Sequence, residues 1–196
     1  MIIWINGAFG SGKTTTAYEL HRRVPNSFVY DPENIGYFIR KQAPRAMLKP
    51  DFQDHPMWRE MNYSMLREIS NEFDGIMIVP MTIVNPQYFH EIIDRLRMDG
   101  VTVHHFALLA SRETLLKRLK SRGDHAQSWP AQQIDRCVSS LSEDMFRMHL
   151  HTDDLTPEQV IEQIAGECGI EIQPDPRGRF RRKLDRFITK IRHIRF

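Results

Sequence analysis

The sequence has only two cysteines, Cys137 and Cys168, far apart and outside any Cys-x-x-Cys or Cys/His cluster. That usage argues against a disulfide-stapled scaffold and a structural zinc site, and it favours a reducing cytosol. Long apolar runs are missing as well. The longest, GIMIVPMTIV at 75–84, contains Pro80 and is too short to cross a bilayer. The opening residues, MIIWINGAFG, have no basic residue ahead of their apolar run and no small-residue cleavage site, so no secretory signal is expected. Repeats and low-complexity tracts are absent too. With 196 residues, 41% hydrophobic and 27% charged, the composition is that of a globular chain, and wholesale disorder is excluded.

Charge is nearly balanced overall but unevenly spread. Residues 177–196 hold nine of the 27 Lys and Arg residues against the single acid Asp185, a net of +8. The preceding 176 residues carry 18 basic against 24 acidic groups, a net of −6. An acidic body of this kind is no general nucleic-acid binder, and a polyanionic partner is expected to meet the tail.

Apolar runs and breakers alternate regularly. Strands are predicted at Met1–Ile5, Ser27–Tyr30, Ile76–Val79, Val101–Leu109 and His149–His151. Helices are predicted over Lys13–Val24, in pieces over 33–73 between Pro44, Pro50 and Pro56, and over Tyr88–Met98, Arg112–Arg122 and Ala131–Ser142. A last body helix opens at Thr156-Pro157, with Thr156 as N-cap and Pro157 in the first helical position. Strands alternating with helices imply an α/β fold with a parallel sheet covered on both faces. Linker-like composition occurs only at Pro174-Asp175-Pro176, so the chain divides into a body, 1–176, and a tail, 177–196.

Gly7 to Thr14 read GAFGSGKT, which fits G-x-x-x-x-G-K-[ST] between a strand and a helix. Gly7, Gly10 and Gly12 allow the tight turn that points successive N–H groups at a phosphate, and Ala8, Phe9, Ser11 and Thr15 complete the loop. The helix start adds its positive dipole end. Lys13 supplies a point charge for the β- and γ-phosphates, and the Thr14 hydroxyl is a ligand for Mg²⁺. Nucleotide binding follows, with ATP and Mg²⁺ as the expected cofactors.

Hydrolases, kinases and switches share such loops. The strand at Ile76–Val79 ends in Pro80-Met81-Thr82 rather than in a metal-binding Asp, and no N-K-x-D motif is present, which counts against a motor or a GTPase. The second strand ends in Asp31-Pro32-Glu33, where strand ends face the ligand crevice. Asp31 is placed to take a proton from an acceptor hydroxyl or to orient the metal, and equally to cap the next helix; these roles are compatible. Lys117, Arg118, Lys120 and Arg122 crowd the end of SRETLLKRLKSRGD. The helix dipole accounts for one or two of them, and the set reads as a lid over 119–136, with Arg136 joining it beyond the loop. Segment 33–73 is the expected acceptor region. Its Glu33, Tyr37, Phe38, Arg40, Trp58 and Arg59 suit a nucleoside or sugar, although helix packing explains any single aromatic as well. For His104, His105, His149 and His151 a structural role is expected rather than a metal.

The order of P-loop, carboxylate, ETLLKRLKSR and HTDDLTPEQVIEQI resembles the P-loop kinases of nucleotides and small molecules. The resemblance implies a three-layer sandwich with five parallel strands in the order 2-3-1-4-5. It also implies that Arg118 stacks on adenine and that Arg122 approaches phosphate. IIWINGAFGSGKT, YDPE, IVPMTIV, ETLLKRL and IDRCV together resemble the bacterial tunicamycin-resistance proteins over most of the chain, tail included. This implies protection from tunicamycin, a uridine-containing antibiotic with sugars and a fatty acyl chain. The kinase-like site then implies ATP- and Mg²⁺-dependent phosphoryl transfer to a hydroxyl of that nucleoside-sugar. Two alternatives stand beside it, sequestration of the drug without chemistry and a nucleoside or nucleotide kinase.

In the tail, Phe180, Leu184, Phe187, Ile188, Ile191 and Ile194 form one apolar stripe on a helix, with basic residues on its other faces. Such a helix suits an anionic membrane surface, which would make the protein peripheral on the inner face of the membrane. It also suits docking on the body or in a dimer.

Overall fold

The computed structural model describes residues 1–125 and 127–192. The fold starts from β1 (Ile2–Gly7), a strand buried along its whole length, as a near-continuous apolar run requires at the centre of a parallel sheet. It pairs in parallel with β3 (Ile76–Pro80), Trp4 facing Val79, and with β4 (Val103–Leu109), Trp4 facing His105. β2 (Ser27–Val29) and β5 (His149–His151) add the two edges, giving the order β2-β3-β1-β4-β5. The expected order is observed.

Alternation along β1 divides the interior in two. Ile2 and Trp4 point to a core that includes Trp58 and Leu66 of α3 (Pro56–Glu72) and Phe89. Ile3 and Ile5 point to the opposite core, built with Ala17 and Leu20 of α1 (Lys13–Arg23) and with Val160 and Ile164 of α9 (Pro157–Cys168). A third cluster above the sheet joins Ala8 to Leu115 and Leu119 of α6 (Arg112–Lys120), Ala131 of α7 (Trp129–Gln132) and Ile134 and Cys137 of α8 (Ile134–Leu141). The Thr156 cap forms in full as a capping box with Gln159.

Several boundaries differ from the sequence reading. The helix expected from Tyr88 starts at Pro86, because the Asn85 side chain accepts from Gln87 N–H at 2.8 Å and Pro86 fills the first helical position. It runs from α4 (Pro86–Phe89) through a π-helical stretch (His90–Asp94) into α5 (Arg95–Met98). The helix expected over Ala131–Ser142 is broken at Gln133 into α7 and α8. Pro56 opens α3 rather than interrupting it. Between α2 (Glu33–Gln42) and α3 the chain folds back in two 3-10 turns, and a Cβ on Gly36 of α2 would stand 2.5 Å from the Phe52 ring. Only glycine permits that approach.

The tail helix α10 (Arg179–Arg192) packs against α1. It docks through its arginines. Arg177 just before it bonds buried Glu19 of α1 at 2.6 Å and Asp175 and Asp185 at 2.8 Å each, and Arg186 and Arg182 pair with Glu158 at 2.5 and 3.2 Å. Phe180, Leu184, Phe187 and Ile188 remain exposed. The Ile191 side chain and Ile194, the rest of the expected stripe, lie outside the description. Among the described residues, no helix is long and apolar enough to cross a membrane.

His105 on β4 is buried against Phe89 and Phe146 and accepts from Asn6 Nδ2 through Nε2 at 3.1 Å. Asn6 Oδ1 takes two backbone N–H groups, which fixes its amide orientation and with it the neutral tautomer. Burial lowers the pKa of His105 from 6.5 to about 4. The unfolded chain therefore binds a proton in this range that the folded chain refuses. Stability is complete above about pH 6.5 and falls as pH drops toward about 4, by roughly 3 kcal/mol over that span. Urea unfolding across it should show the decline, and His105→Gln should flatten it; equal slopes in both proteins would refute the assignment.

Candidate active site

All five strands run the same way, so their carboxyl ends meet at one edge of the sheet. There a cleft of about 960 Å³ is lined by the loop after β1, by Asp31 after β2, by Pro80–Thr82 at the end of β3 and by Thr152 after β5. The loop is locked from below. Asn6 Oδ1 accepts from the N–H groups of Gly7 at 2.8 Å and Ile83 at 3.0 Å, while Asn6 Nδ2 donates to Ile83 O at 2.7 Å. Gly7 O accepts from the Thr82 hydroxyl at 2.7 Å and from Lys13 Nζ at 2.8 Å, and Ala8 O also accepts from Lys13 at 3.0 Å. Burial pulls the Lys13 pKa down to about 8.

The loop fits a polyphosphate on two observations. Gly12 caps α1 with φ 104°, with no side-chain cap and open space where a Cβ would stand, so the first-turn N–H groups of α1 face the cleft. Ser11 Oγ is buried and has no hydrogen-bond partner. A cradle with an orphaned hydroxyl and a desolvated ammonium matches an anionic oxygen cluster. Gly10, Thr14 and Thr15 line the same wall, and Phe9 packs edge-on to Trp129 at 5.2 Å.

Two arginines of the expected lid reach the cleft. Arg118 donates to Thr152 O at 2.7 Å, Thr152 Oγ1 at 3.1 Å and Ser11 O at 3.4 Å, which ties the β5 end to the cradle. Its helix is fixed in turn by Asp153, which accepts from the Ser111 hydroxyl at 2.6 Å; that bond helps hold the Asp153 carboxyl down at about 2. Arg122 lines the cleft beside Asp124, 3.3 Å away. Arg136 is exposed on α8 and does not line the cleft.

On the opposite side Asp31 lines the cleft while its Oδ1 accepts from Glu33 N–H at 3.0 Å. Glu33, Tyr37 and Arg40 line the cleft with it. The other expected acceptor residues are placed elsewhere. Phe38 is exposed and off the cleft. Trp58 is fully buried, its indole donating to Pro32 O at 3.1 Å. Arg59 is buried against Glu91, Gln53 O at 2.6 Å and the Tyr88 ring. Trp58 and Arg59 hold the segment together.

Cleft-lining residues that sequence reasoning missed include Asp51 and Gln53 ahead of α3, Tyr18 of α1, Thr152 and Leu155 after β5, and Arg186 from the tail. Burial raises the Asp51 pKa above its ordinary value. Thr152 carried a usable signal, since it follows the fifth strand; the others are brought in by folding.

Residues 2–143 match the family model described as AAA domain. The chain is similar to the tunicamycin resistance protein of Deinococcus radiodurans, with 36% sequence identity, a TM-score of 0.76, and coverage of 89% of this chain and 99% of that one. In fold alone it is similar to a sugar kinase from a Janibacter species, at 17% identity and TM-score 0.61 over 86% and 94% of the two chains. The same holds for the Mycobacterium tuberculosis APS kinase CysC in complex with AMPPNP and APS, at 12% identity and TM-score 0.58 over 86% and 96%. Comparison with curated proteins gives no match. With that identity over nearly its whole length, and with a strand order and phosphate cradle of the kinase-like type, the chain belongs to the tunicamycin-resistance proteins of the P-loop, AAA-domain family.

Proposed function

We propose that the protein transfers the γ-phosphoryl group of ATP, with Mg²⁺, to a hydroxyl of tunicamycin or a related nucleoside-sugar, and so confers resistance. The observation that carries this reading is the continuity of the cleft. A single cleft is lined both by the cradle with Lys13 and by Asp31, Glu33 and Arg40, and its volume is at the upper end for small-molecule sites. A motor or a switch has no need of an acceptor wall.

ATP supplies the activated phosphoryl group and Mg²⁺ the charge that screens it. The loop N–H groups and Lys13 bind the β- and γ-phosphates, and Thr14 and Asp31 form the donor set for the metal. Asp31 takes the proton of the acceptor hydroxyl as its oxygen bonds to the γ-phosphorus and the bond to the ADP oxygen breaks. Arg122 offsets charge on the transferring group. Arg118, held at Thr152 and Ser11 beside the cradle, is the residue the resemblance assigns to adenine.

A second reading is favoured by the exposed Phe180, Leu184, Phe187 and Ile188 of α10. The protein would hold the drug at an anionic membrane surface without chemistry. Incubation with tunicamycin and γ-labelled ATP separates the two. Label in the drug is expected; tight drug binding with no labelled product would replace the kinase reading by sequestration, and equal labelling of free uridine would make the protein a nucleoside kinase. Asp31→Asn should lower turnover about a hundredfold or more with ATP affinity retained, the range for a lost general base. Unchanged turnover would remove Asp31 from that role.

Lys13 also makes binding proton-linked. Its pKa of about 8 in the free protein must rise when phosphate replaces carbonyl partners, so above about pH 8 nucleotide binding takes up a proton. Calorimetry in buffers of different ionisation enthalpy should detect uptake there and none near neutrality. Buffer-independent heats at both pH values would contradict it.

A further inference from the structure

Around α10 the described residues include a set of paired acidic and basic groups. Glu19, Glu158, Asp175 and Asp185 meet Arg22, Arg177, Arg182 and Arg186, and Glu19 is 2% exposed. Arg186 differs from the rest of this set, because it alone also lines the cleft. It does so on the wall formed by Tyr18 of α1 and by Pro157 and Val160 at the start of α9. Its Nη2 bonds Glu158 at 2.5 Å and lies 3.7 Å from Glu19, while its Nε is out of solvent with no acceptor.

The strand order sets the direction of a bound nucleotide, since Asp31 follows β2 at one edge of the sheet, Thr152 follows β5 at the other, and the cradle follows β1 between them. A terminal phosphate that faces Asp31 across the cradle leaves the rest of the molecule to run the other way, past Thr15 and Arg118 toward α9 and α10. We infer that Arg186 of the tail helix is a nucleotide-contacting residue that binds the α-phosphate and ribose end, so that the tail completes the nucleotide site. This rests on the nucleotide-binding reading of the cradle. The chemistry suits it, because an arginine held by carboxylates on one edge of its planar fork can still present its remaining N–H groups to a phosphate or a ribose hydroxyl.

Arg182 provides the control, since it shares the Glu158 partner and the same helix but does not line the cleft. Titration calorimetry on the full chain, with MgADP and with magnesium pyrophosphate, should show that Arg186→Ala weakens MgADP about tenfold or more, the value of a lost charge-assisted bond, and leaves pyrophosphate unchanged. Arg182→Ala should leave both unchanged. Equal MgADP affinity in wild type and Arg186→Ala would overturn the inference, as would equal losses in the two variants, which would mean that docking of α10 alone matters. The parent reading fails separately, if wild type takes up neither ligand or if Lys13→Ala binds both as well as wild type does.

Discussion

The site depends on how the central strand ends. A parallel strand buried on both faces leaves its last N–H and C=O groups without a ladder, and a buried backbone group without a partner costs about as much as a lost hydrogen bond. Asn6 meets this by binding Gly7 and Ile83 with one side chain, and Thr82 meets it from the neighbouring strand by donating to Gly7 O. The loop after β1 is therefore clamped to the end of β3 before any ligand arrives. His105 accepts from the remaining amide hydrogen and brings β4 into the same knot. Because that knot admits only a neutral imidazole, the shape of the cradle and acid stability share one origin.

The same economy governs charge. Lys13 is half-buried against two carbonyl oxygens, dipoles that hold an ammonium without neutralising it. Such a group gains most from a full negative charge, so desolvation prepares the lysine for phosphate. In the tail the reverse holds. Its arginines face carboxylates of the body, and the strong positive charge that the sequence concentrates there is partly consumed inside the molecule. That leaves the apolar side of α10 outward and the charged side inward, with Arg186 at the boundary with the cleft.

The strands and the phosphate loop were legible because each rests on local pattern: alternation, the spacing of glycines before Lys13, and the cap at Thr156. The strand order is not a local property and came with the resemblance to the P-loop kinases. The acceptor side was legible only by residue type, and type proved ambiguous. Trp58 and Arg59 have the chemistry that suits a sugar, yet the same planes and forks suit packing, and here they serve Pro32 O, Glu91 and Gln53 O. Asp31 was legible because strand ends in a parallel sheet share one edge. Asp51 and Gln53 were not, since a 3-10 turn seated through Gly36 and Phe52 brings them to the cleft, and no periodicity announces it. The stripe of the tail helix follows from periodicity, but periodicity does not say which face docks.

The missing carboxylate at the end of β3 gives the proposed chemistry its direction. Where Thr82 stands, the hydroxyl is occupied with Gly7 O, and Pro80 and Met81 contribute no charge. Among the strand ends lining the cleft, the carboxylate opposite the cradle is Asp31, at the end of β2 and beside the segment that carries Glu33, Tyr37 and Arg40. A charge placed there lies, in the proposed reaction, on the acceptor side of the terminal phosphate. In the proposed reaction the group that helps hold the metal is therefore the one nearest the attacking hydroxyl, which couples phosphate binding to an acceptor. A chain built to hydrolyse nucleotide for motion would gain nothing from moving its carboxylate to that strand.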